Sequence, residues 1–275
     1  MHQLDFIINW NIAPLFDRFR VSNRLLLEVL EPDPFPIEFL DYPEARPDWI
    51  TLAYVGMEDE TNYHKKADSL IDLFLLTCAL ISDFTGTYRG GASIPIPNLE
   101  DLGNRRVLFK TGYKTLEFGA TPLEKVQKPI TLVKNRFLQL ESDIDKILTG
   151  YLGLALRYFS YAIQSYQRKP QRRIEETVFN LAISAETLFT TGKPTKNLKE
   201  RLPTFIADDK TKASAIAKQI GQFYNYRSDI VHGRTRKHKM PIEEINLVKT
   251  YIKTAIDKAL SLKLYEKKDL LNLLK

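Results

Sequence analysis

Four apolar stripes with helical spacing lie between Tyr151 and Ala259, and they constrain the fold more than any other feature. In each stripe apolar residues recur every three or four positions, which places them on one face of a helix. The members are Leu152, Ala155, Phe159, Ala162, Ile163 and Tyr166; Ile174, Val178, Leu181, Ala185 and Leu188; Ala213, Ile216, Ala217, Ile220, Phe223 and Tyr224; and Ile245, Val248, Ile252, Ala255 and Ala259. Helices of this length with short connections predict an antiparallel bundle over residues 149–275.

The residues before the bundle combine strand and helix patterns. Residues 24–30 and 49–55 are short apolar runs on either side of a proline-rich connection, and they predict two strands. Residues 61–84 predict a long, mostly buried helix, and residues 106–118 predict a hairpin. The glycine-rich stretch at 89–92 lacks the Lys-Ser/Thr pair of a phosphate-binding P-loop, so we expect a surface loop there.

These patterns divide the chain into three parts. Residues 1–120 are predicted to form a mixed α/β domain that senses a signal or binds a partner. Residues 121–148 are predicted to form a connecting helix, and residues 149–275 form the all-α bundle. The predicted fold class is therefore α+β.

Charge is distributed unevenly along the chain. Residues 1–150 hold 16 Lys and Arg against 22 Asp and Glu, whereas residues 151–275 hold 24 against 12. The basic excess belongs to the half that forms the predicted bundle. Such a half is suited to a polyanion, although lysines kept for solubility give the same count.

Cysteine content and hydropathy exclude several classes of protein. The single cysteine, Cys78, rules out an intramolecular disulfide and argues against a cysteine-based zinc site. The N-terminus contains Asp5 and no basic start, which is not typical of a signal peptide. The apolar run at 69–82 is too short to span a membrane and is interrupted by Asp72. We expect a cytoplasmic protein without a membrane segment.

The third stripe continues into a pair of residues suited to phosphate chemistry. One more turn places Arg227 on the stripe, followed by Ile230 and Val231, and His232 and Gly233 then end the helix. Arginine offers a planar, permanently charged fork to phosphate oxygens, and histidine can transfer a proton near neutral pH. The structural alternative stays open, because Arg227 could pair with a carboxylate and His232 could donate to the last carbonyls of its helix.

Residues 226–233, Tyr-Arg-Ser-Asp-Ile-Val-His-Gly, resemble the signature of the HEPN superfamily, in which His follows Arg after four to six residues. They look most like the branch called Apea-like HEPN, where Gly follows the His. Residues 180–189, Asn-Leu-Ala-Ile-Ser-Ala-Glu-Thr-Leu-Phe, are similar to the preceding helix of that family. The resemblance covers about the last 125 residues and implies a HEPN-type helical bundle.

The resemblance implies a metal-independent endoribonuclease that needs no cofactor. His232 would act as general base on a ribose 2′-hydroxyl or as acid on the leaving oxygen, and Arg227 would stabilise the phosphate. Glu186 would orient Arg227 or position the substrate. Two protomers would pair so that their motifs face each other across a shared cleft, which implies a homodimer. The expected products carry a 2′,3′-cyclic phosphate and a 5′-hydroxyl.

Residues around the motif are candidates for binding single-stranded RNA. The loop after the motif is basic and could follow the phosphate backbone, although a solvated loop explains the same charges. Tyr224 and Tyr226 before it could stack on bases, although aromatic residues on or beside an apolar stripe are more often core residues. The candidates are Tyr226, Ser228, Arg234, Arg236, Lys237 and Lys239. Arg234 stands where many toxin members of the superfamily carry a Tyr, so features tied to that Tyr are not expected here.

Three hypotheses remain open on the sequence alone. The first is a ribonuclease that acts in antiviral defence or toxin-like growth control and is triggered by a regulatory protein or a nucleotide. The second is a non-catalytic module that binds a nucleotide or RNA and dimerises. The third is an interaction scaffold, which full burial of Arg227 against Glu186 would indicate.

Overall fold

A computed structural model describes residues 2–10, 18–29, 50–57, 62–82, 86–95, 124–168, 170–233 and 240–275. The chain divides into two compact units, Met1–Ile144 and Asp145–Lys275. The first contains a sheet and helices and the second is helical throughout its described residues, so the α+β class is confirmed. Among the described helices, none combines the length and the apolar character that a membrane span requires.

The described strands of the first unit form one antiparallel sheet. In chain order they are β1 (His2–Trp10), β2 (Arg18–Arg20), β3 (Leu25–Val29), β4 (Ile50–Met57) and β5 (Gly86–Pro95), and they lie side by side in the order β2-β3-β4-β1-β5. The two predicted strands, at 24–30 and 49–55, correspond to β3 and β4. Strand β1 was not predicted; it lies between β4 and the edge strand β5 and pairs with both.

The prediction of a loop at residues 89–92 is wrong, because these residues lie inside β5. Asp5 pairs with Ala92 and Phe6 pairs with Gly90, so Gly91 is an extra residue opposite the Asp5/Phe6 step. Such a bulge distorts the backbone locally, and glycine tolerates the distortion. The glycines therefore mark an irregularity within a strand. The hairpin predicted at 106–118 lies outside the described residues.

Two helices pack together in the first unit. They are α1 (Tyr63–Ser82), which matches the predicted helix at 61–84, and α2 (Glu124–Leu140), followed by a 3₁₀ turn at Glu141–Asp143. The rings of Phe74 and Phe137 meet edge to face at 6.0 Å. Cys78 is fully buried on α1, as predicted, and burial raises the pKa of its thiol.

The second unit begins at Asp145, the second residue of α3 (Ile144–Thr149). Its other helices are α4 (Tyr151–Arg168), α5 (Pro170–Phe189), α6 (Pro194–Ile206), α7 (Lys210–Val231), α8 (Ile242–Ser261) and α9 (Lys267–Leu273). Among the described side chains, most members of each predicted stripe are buried, and each stripe belongs to one of these helices. The Ser184 hydroxyl donates to the Ala155 carbonyl at 2.8 Å, and the Thr177 hydroxyl donates to the Ala162 carbonyl at 3.5 Å. These pairs run in opposite directions along α4 and α5, so the two helices are antiparallel. Helix α5 contacts α4, α6, α7 and α8, and α8 contacts α4, α5, α6 and α7.

Replacing either of two glycines in this unit by alanine is expected to change the free energy of unfolding in opposite directions. A Cβ at Gly153 would lie 2.8 Å from Leu148 Cα and closer still to the Ile147 carbonyl oxygen, whereas a Cβ at Gly221 would meet the Lys199 side chain at an ordinary 3.4 Å. We expect Gly153→Ala to lower the free energy of unfolding by about 1–3 kcal/mol through overpacking. Gly221→Ala should raise it by up to about 1 kcal/mol, because alanine is the better helix former. Urea denaturation followed by circular dichroism measures both, and a neutral Gly153→Ala would contradict this packing.

Candidate functional site

Helix α7 presents the Arg/His motif at its C-terminal end. The helix begins where the Asp209 carboxylate accepts a hydrogen bond from the Lys212 backbone N–H at 2.8 Å. It ends at Val231, and Gly233, two residues later, has a φ of 58°, in the left-handed region that glycine enters most easily. The backbone N–H of His232 donates to the Ser228 carbonyl at 3.0 Å, and that of Gly233 donates to the Ile230 carbonyl at 3.2 Å. The predicted glycine cap is confirmed, and it fixes where His232 leaves the helix.

Arg227 contacts two residues of α5, and neither contact is a hydrogen bond. Its Nη2 lies 3.9 Å from Glu186 Oε1, and its guanidinium carbon lies 5.8 Å from the centre of the Phe179 ring. The side chain is 27% exposed. Its Nε is buried and has no hydrogen-bond partner among the described residues. At 3.9 Å the contact with Glu186 is longer than a hydrogen bond, so Glu186 does not take up the terminal N–H groups, and those on the exposed part of the guanidinium can reach an anion.

The carboxylate of Glu186, which faces Arg227, also accepts a hydrogen bond from Tyr224. The Tyr224 hydroxyl donates to Glu186 Oε1 at 3.0 Å and lies 3.3 Å from the Ala182 carbonyl oxygen. Burial raises the pKa of Tyr224 far above its ordinary value, and the negative charge of Glu186 raises it further. The phenol therefore stays protonated and acts as a hydrogen-bond donor. One carboxylate oxygen thus faces both a neutral donor and a cation, as expected for a residue that orients Arg227.

His232 is exposed at the end of α7. Five residues correspond to a rotation of about 140° around a helix, so the side chains of Arg227 and His232 leave α7 in different directions. Arg227 faces α5, while the imidazole of His232 is open to solvent. A single chain therefore places a partly buried guanidinium and an exposed imidazole near one helix end.

The structure corrects one predicted RNA-binding residue and leaves most others untested. Tyr226 is only 5% exposed, so its ring belongs to the core and is not open to a base. Ser228 is partly exposed, and its backbone carbonyl is occupied by His232. The remaining four candidates lie outside the described residues; they are Arg234, Arg236, Lys237 and Lys239.

The last turn of α7 also departs from the extended stripe. Val231 is 46% exposed, whereas Asp229 is 5% exposed. The buried face has therefore rotated towards Tyr226 and Asp229 at this point. Spacing alone does not reveal this, because the face is set by what the helix packs against.

Two partners of the motif were not singled out as such by the sequence analysis. Tyr224 was considered as a core or stacking residue, and Phe179 was not considered. A signal for both exists, since Phe179 and Glu186 are seven residues apart on α5 and therefore share one face. Tyr224 and Arg227 are three apart on α7 and also share a face.

No group of three or more His, Cys, Asp or Glu side chains among the described residues is arranged to hold a metal ion. Comparison with protein-family models, with curated proteins and with solved structures finds no match to this chain. The resemblance to the HEPN superfamily therefore remains a prediction from the motif residues.

The Tyr224 contact predicts a measurable loss of stability. Tyr224→Phe removes a buried hydroxyl bonded to Glu186 and should lower the free energy of unfolding by about 1 kcal/mol. Tyr161→Phe is the matched control. Tyr161 is 49% exposed, so loss of its hydroxyl leaves no buried group without a hydrogen-bond partner. Equal losses in the two variants, measured by urea denaturation, would contradict the assigned contact.

The raised pKa of Tyr224 also predicts a pH dependence. As pH rises through the ordinary tyrosine value of 10.0, the unfolded chain loses this proton while the folded chain keeps it. The folded state is therefore progressively destabilised relative to the unfolded state. The stability advantage of wild type over Tyr224→Phe should shrink between about pH 9 and pH 11. Thermal unfolding over that range would show a growing advantage if the phenol were instead easily ionised in the fold.

Proposed function

We propose that this chain is an endoribonuclease of the HEPN type that cleaves RNA by attack of a ribose 2′-hydroxyl. The observation that carries the proposal is Arg227, which contacts Glu186 and Phe179 yet keeps 27% of its side chain exposed and lies beyond hydrogen-bond distance of the Glu186 carboxylate. An oriented fork with free donors is suited to the charge that develops on a phosphate during the reaction. His232, five residues later and exposed, supplies the group that transfers protons.

The reaction follows from the roles of these two side chains. A neutral His232 takes the proton of the 2′-hydroxyl, and the 2′-oxygen attacks the adjacent phosphorus. Arg227 stabilises the negative charge on the phosphate oxygens while the bond to the 5′-oxygen breaks. The leaving oxygen takes a proton from a protonated imidazole, which leaves a 2′,3′-cyclic phosphate and a 5′-hydroxyl.

A homodimer is part of this proposal, because the base and the acid are different protonation states of imidazole. One His232 could serve as base and then as acid only in successive steps, whereas two motifs facing each other supply both protonation states in the same step. The divergence of Arg227 and His232 around α7 supports the same arrangement. A cleft shared by two chains lets an arginine of one motif act beside a histidine of the other.

The charge distribution supports a nucleic acid as the substrate. Residues 151–275 carry twice as many Lys and Arg as Asp and Glu. Such a surface attracts the phosphate backbone whatever its sequence. The basic excess belongs to the same half of the chain as Arg227 and His232.

A second candidate is a non-catalytic module that binds a nucleotide or RNA. The proximity of Glu186 to Arg227 favours it, because a carboxylate beside the guanidinium weakens the stabilisation of the extra negative charge that a phosphate gains during cleavage. In that case Arg227 would bind the ligand and His232 would have no chemical role. The scaffold hypothesis is less well supported, since Arg227 keeps 27% of its side chain exposed.

Cleavage assays separate these candidates. Wild type, His232→Ala and Arg227→Ala are incubated with defined single-stranded RNAs in excess EDTA, beside Lys218→Ala, which removes an exposed charge from the same helix. We expect His232→Ala to reduce the rate by about 10²–10⁴-fold, the usual contribution of general acid–base catalysis. Lys218→Ala should retain the wild-type rate within a small factor.

Two results would overturn the nuclease proposal. Full activity in His232→Ala would remove the assigned proton carrier. An inactive wild type that still binds RNA, with binding lost in Arg227→Ala and kept in His232→Ala, would establish the binding module instead.

A further inference from the structure

The first unit contains a cleft that the proposed nuclease reaction does not use. It has a volume of about 560 Å³ and lies between the β2–β3 turn and the end of α2. Its lining includes Arg20, Ser22 and Arg24 from the turn, and Lys134, Leu138 and Glu141 from the helical side. Lys134, Leu138 and Glu141 are spaced by four and three residues, so they share one face. A volume of this size is typical of sites for small molecules.

The turn side of the cleft is rigid. The backbone N–H groups of Val21 and Ser22 donate to the Leu25 carbonyl at 2.9 and 3.2 Å, and the Arg24 N–H donates to Ser22 Oγ at 3.2 Å. Ser22 is 6% exposed. The Gly56 N–H donates to the Arg24 carbonyl at 2.9 Å, which ties the turn to β4. The backbone that carries Arg20 and Arg24 is therefore fixed before any ligand arrives.

Glu141 supplies an oriented acceptor in the cleft wall. Its Oε1 accepts a hydrogen bond from the Ser22 hydroxyl at 3.1 Å. Burial raises the pKa of Glu141, while the Ser22 hydrogen bond and the charge of Arg24 oppose the rise. Its Oε2 makes no hydrogen bond within the described part of the chain. That oxygen is available to a ligand that brings an N–H or O–H donor.

Cations outnumber this carboxylate in the cleft. Lys134 Nζ donates to the Arg20 carbonyl at 2.8 Å and lies 5.4 Å from the centre of the Phe19 ring, so its position is fixed. Arg20 has a weak contact of 3.4 Å to the Asn23 carbonyl. The guanidinium of Arg24 makes no hydrogen bond to any described residue. Three cations around one small cleft repel each other, and an anion such as a phosphate would relieve that repulsion.

An apolar surface completes the lining. Leu138 on α2 lines the cleft and is 45% exposed. An exposed leucine beside arginine side chains suits the flat face of a ring, since guanidinium groups also stack on aromatic rings. The cleft thus combines an anion site, a single acceptor and an apolar wall.

We propose that this cleft binds a nucleoside phosphate. The phosphate contacts Arg24 and Arg20, a donor on the sugar or the base reaches Glu141 Oε2, and the base lies against Leu138. This inference does not rest on the nuclease proposal, because it concerns other residues and a binding step alone. It gives a ligand class to the sensing role that the sequence predicts for residues 1–120.

Calorimetric titration of the full chain tests the proposal without any RNA cleavage. The probes are AMP, GMP, CMP and UMP, with adenosine and inorganic phosphate as partial ligands. We expect at least one nucleotide to bind with a Kd below about 1 mM, and adenosine and phosphate to bind at least about tenfold more weakly. Arg24→Gln and Glu141→Gln should each weaken nucleotide binding by about tenfold or more, the loss typical of one charged hydrogen bond.

Two control variants distinguish this cleft from other sites. Lys65→Gln removes an exposed cation from α1 in the same unit, and Arg227→Ala removes the cation of the motif. Both should bind nucleotide as wild type does. Glu141→Gln keeps the size of the side chain and an oxygen for Ser22, so it should fold, and its thermal unfolding midpoint checks this.

Four results would overturn the proposal. They are the absence of binding by every nucleotide at millimolar concentration, equal binding of inorganic phosphate alone, an equal loss in Lys65→Gln, and loss of binding in Arg227→Ala. The last of these would place the nucleotide at the motif. An inactive nuclease with intact nucleotide binding would reject the proposed function and leave this inference standing.

Discussion

The contact between Arg227 and Glu186 determines what the end of α7 can do. A guanidinium beside the core of a bundle must be compensated, because removing it from water is costly. Glu186 compensates it at 3.9 Å, and Tyr224 holds Glu186 in place by donating to the same oxygen. The arrangement orients Arg227 without consuming its donors. An arginine paired at close range on both edges would instead be a structural element only.

Much of the second unit follows from the spacing of apolar residues. The stripes predicted α4, α5, α7 and α8, because a helix in water must bury one face and the face repeats every 3.6 residues. The glycine cap and the approach of Glu186 to Arg227 were also predictable. For Tyr226, which lies beside the stripe, the sequence left a core role and a stacking role open, and the packing of neighbouring helices buries it.

The first unit was harder to predict because its structure depends on contacts between distant residues. Strand β5 contains glycines that disfavour a strand locally, and pairing with β1 supplies the hydrogen bonds that outweigh this preference. The cleft has the same origin. Ser22 and Glu141 are 119 positions apart, and no local pattern indicates that they meet.

The central claim is that a 2′-hydroxyl is the nucleophile and that His232 and Arg227 act on its phosphate. The most direct test is an RNA oligonucleotide that carries a single 2′-deoxy sugar at a position that the protein cleaves. Cleavage should disappear at that position and continue at neighbouring ones, with 2′,3′-cyclic phosphate and 5′-hydroxyl ends. Cleavage at the deoxy position at the rate seen with the unmodified RNA, or products with 5′-phosphate ends, would contradict the mechanism.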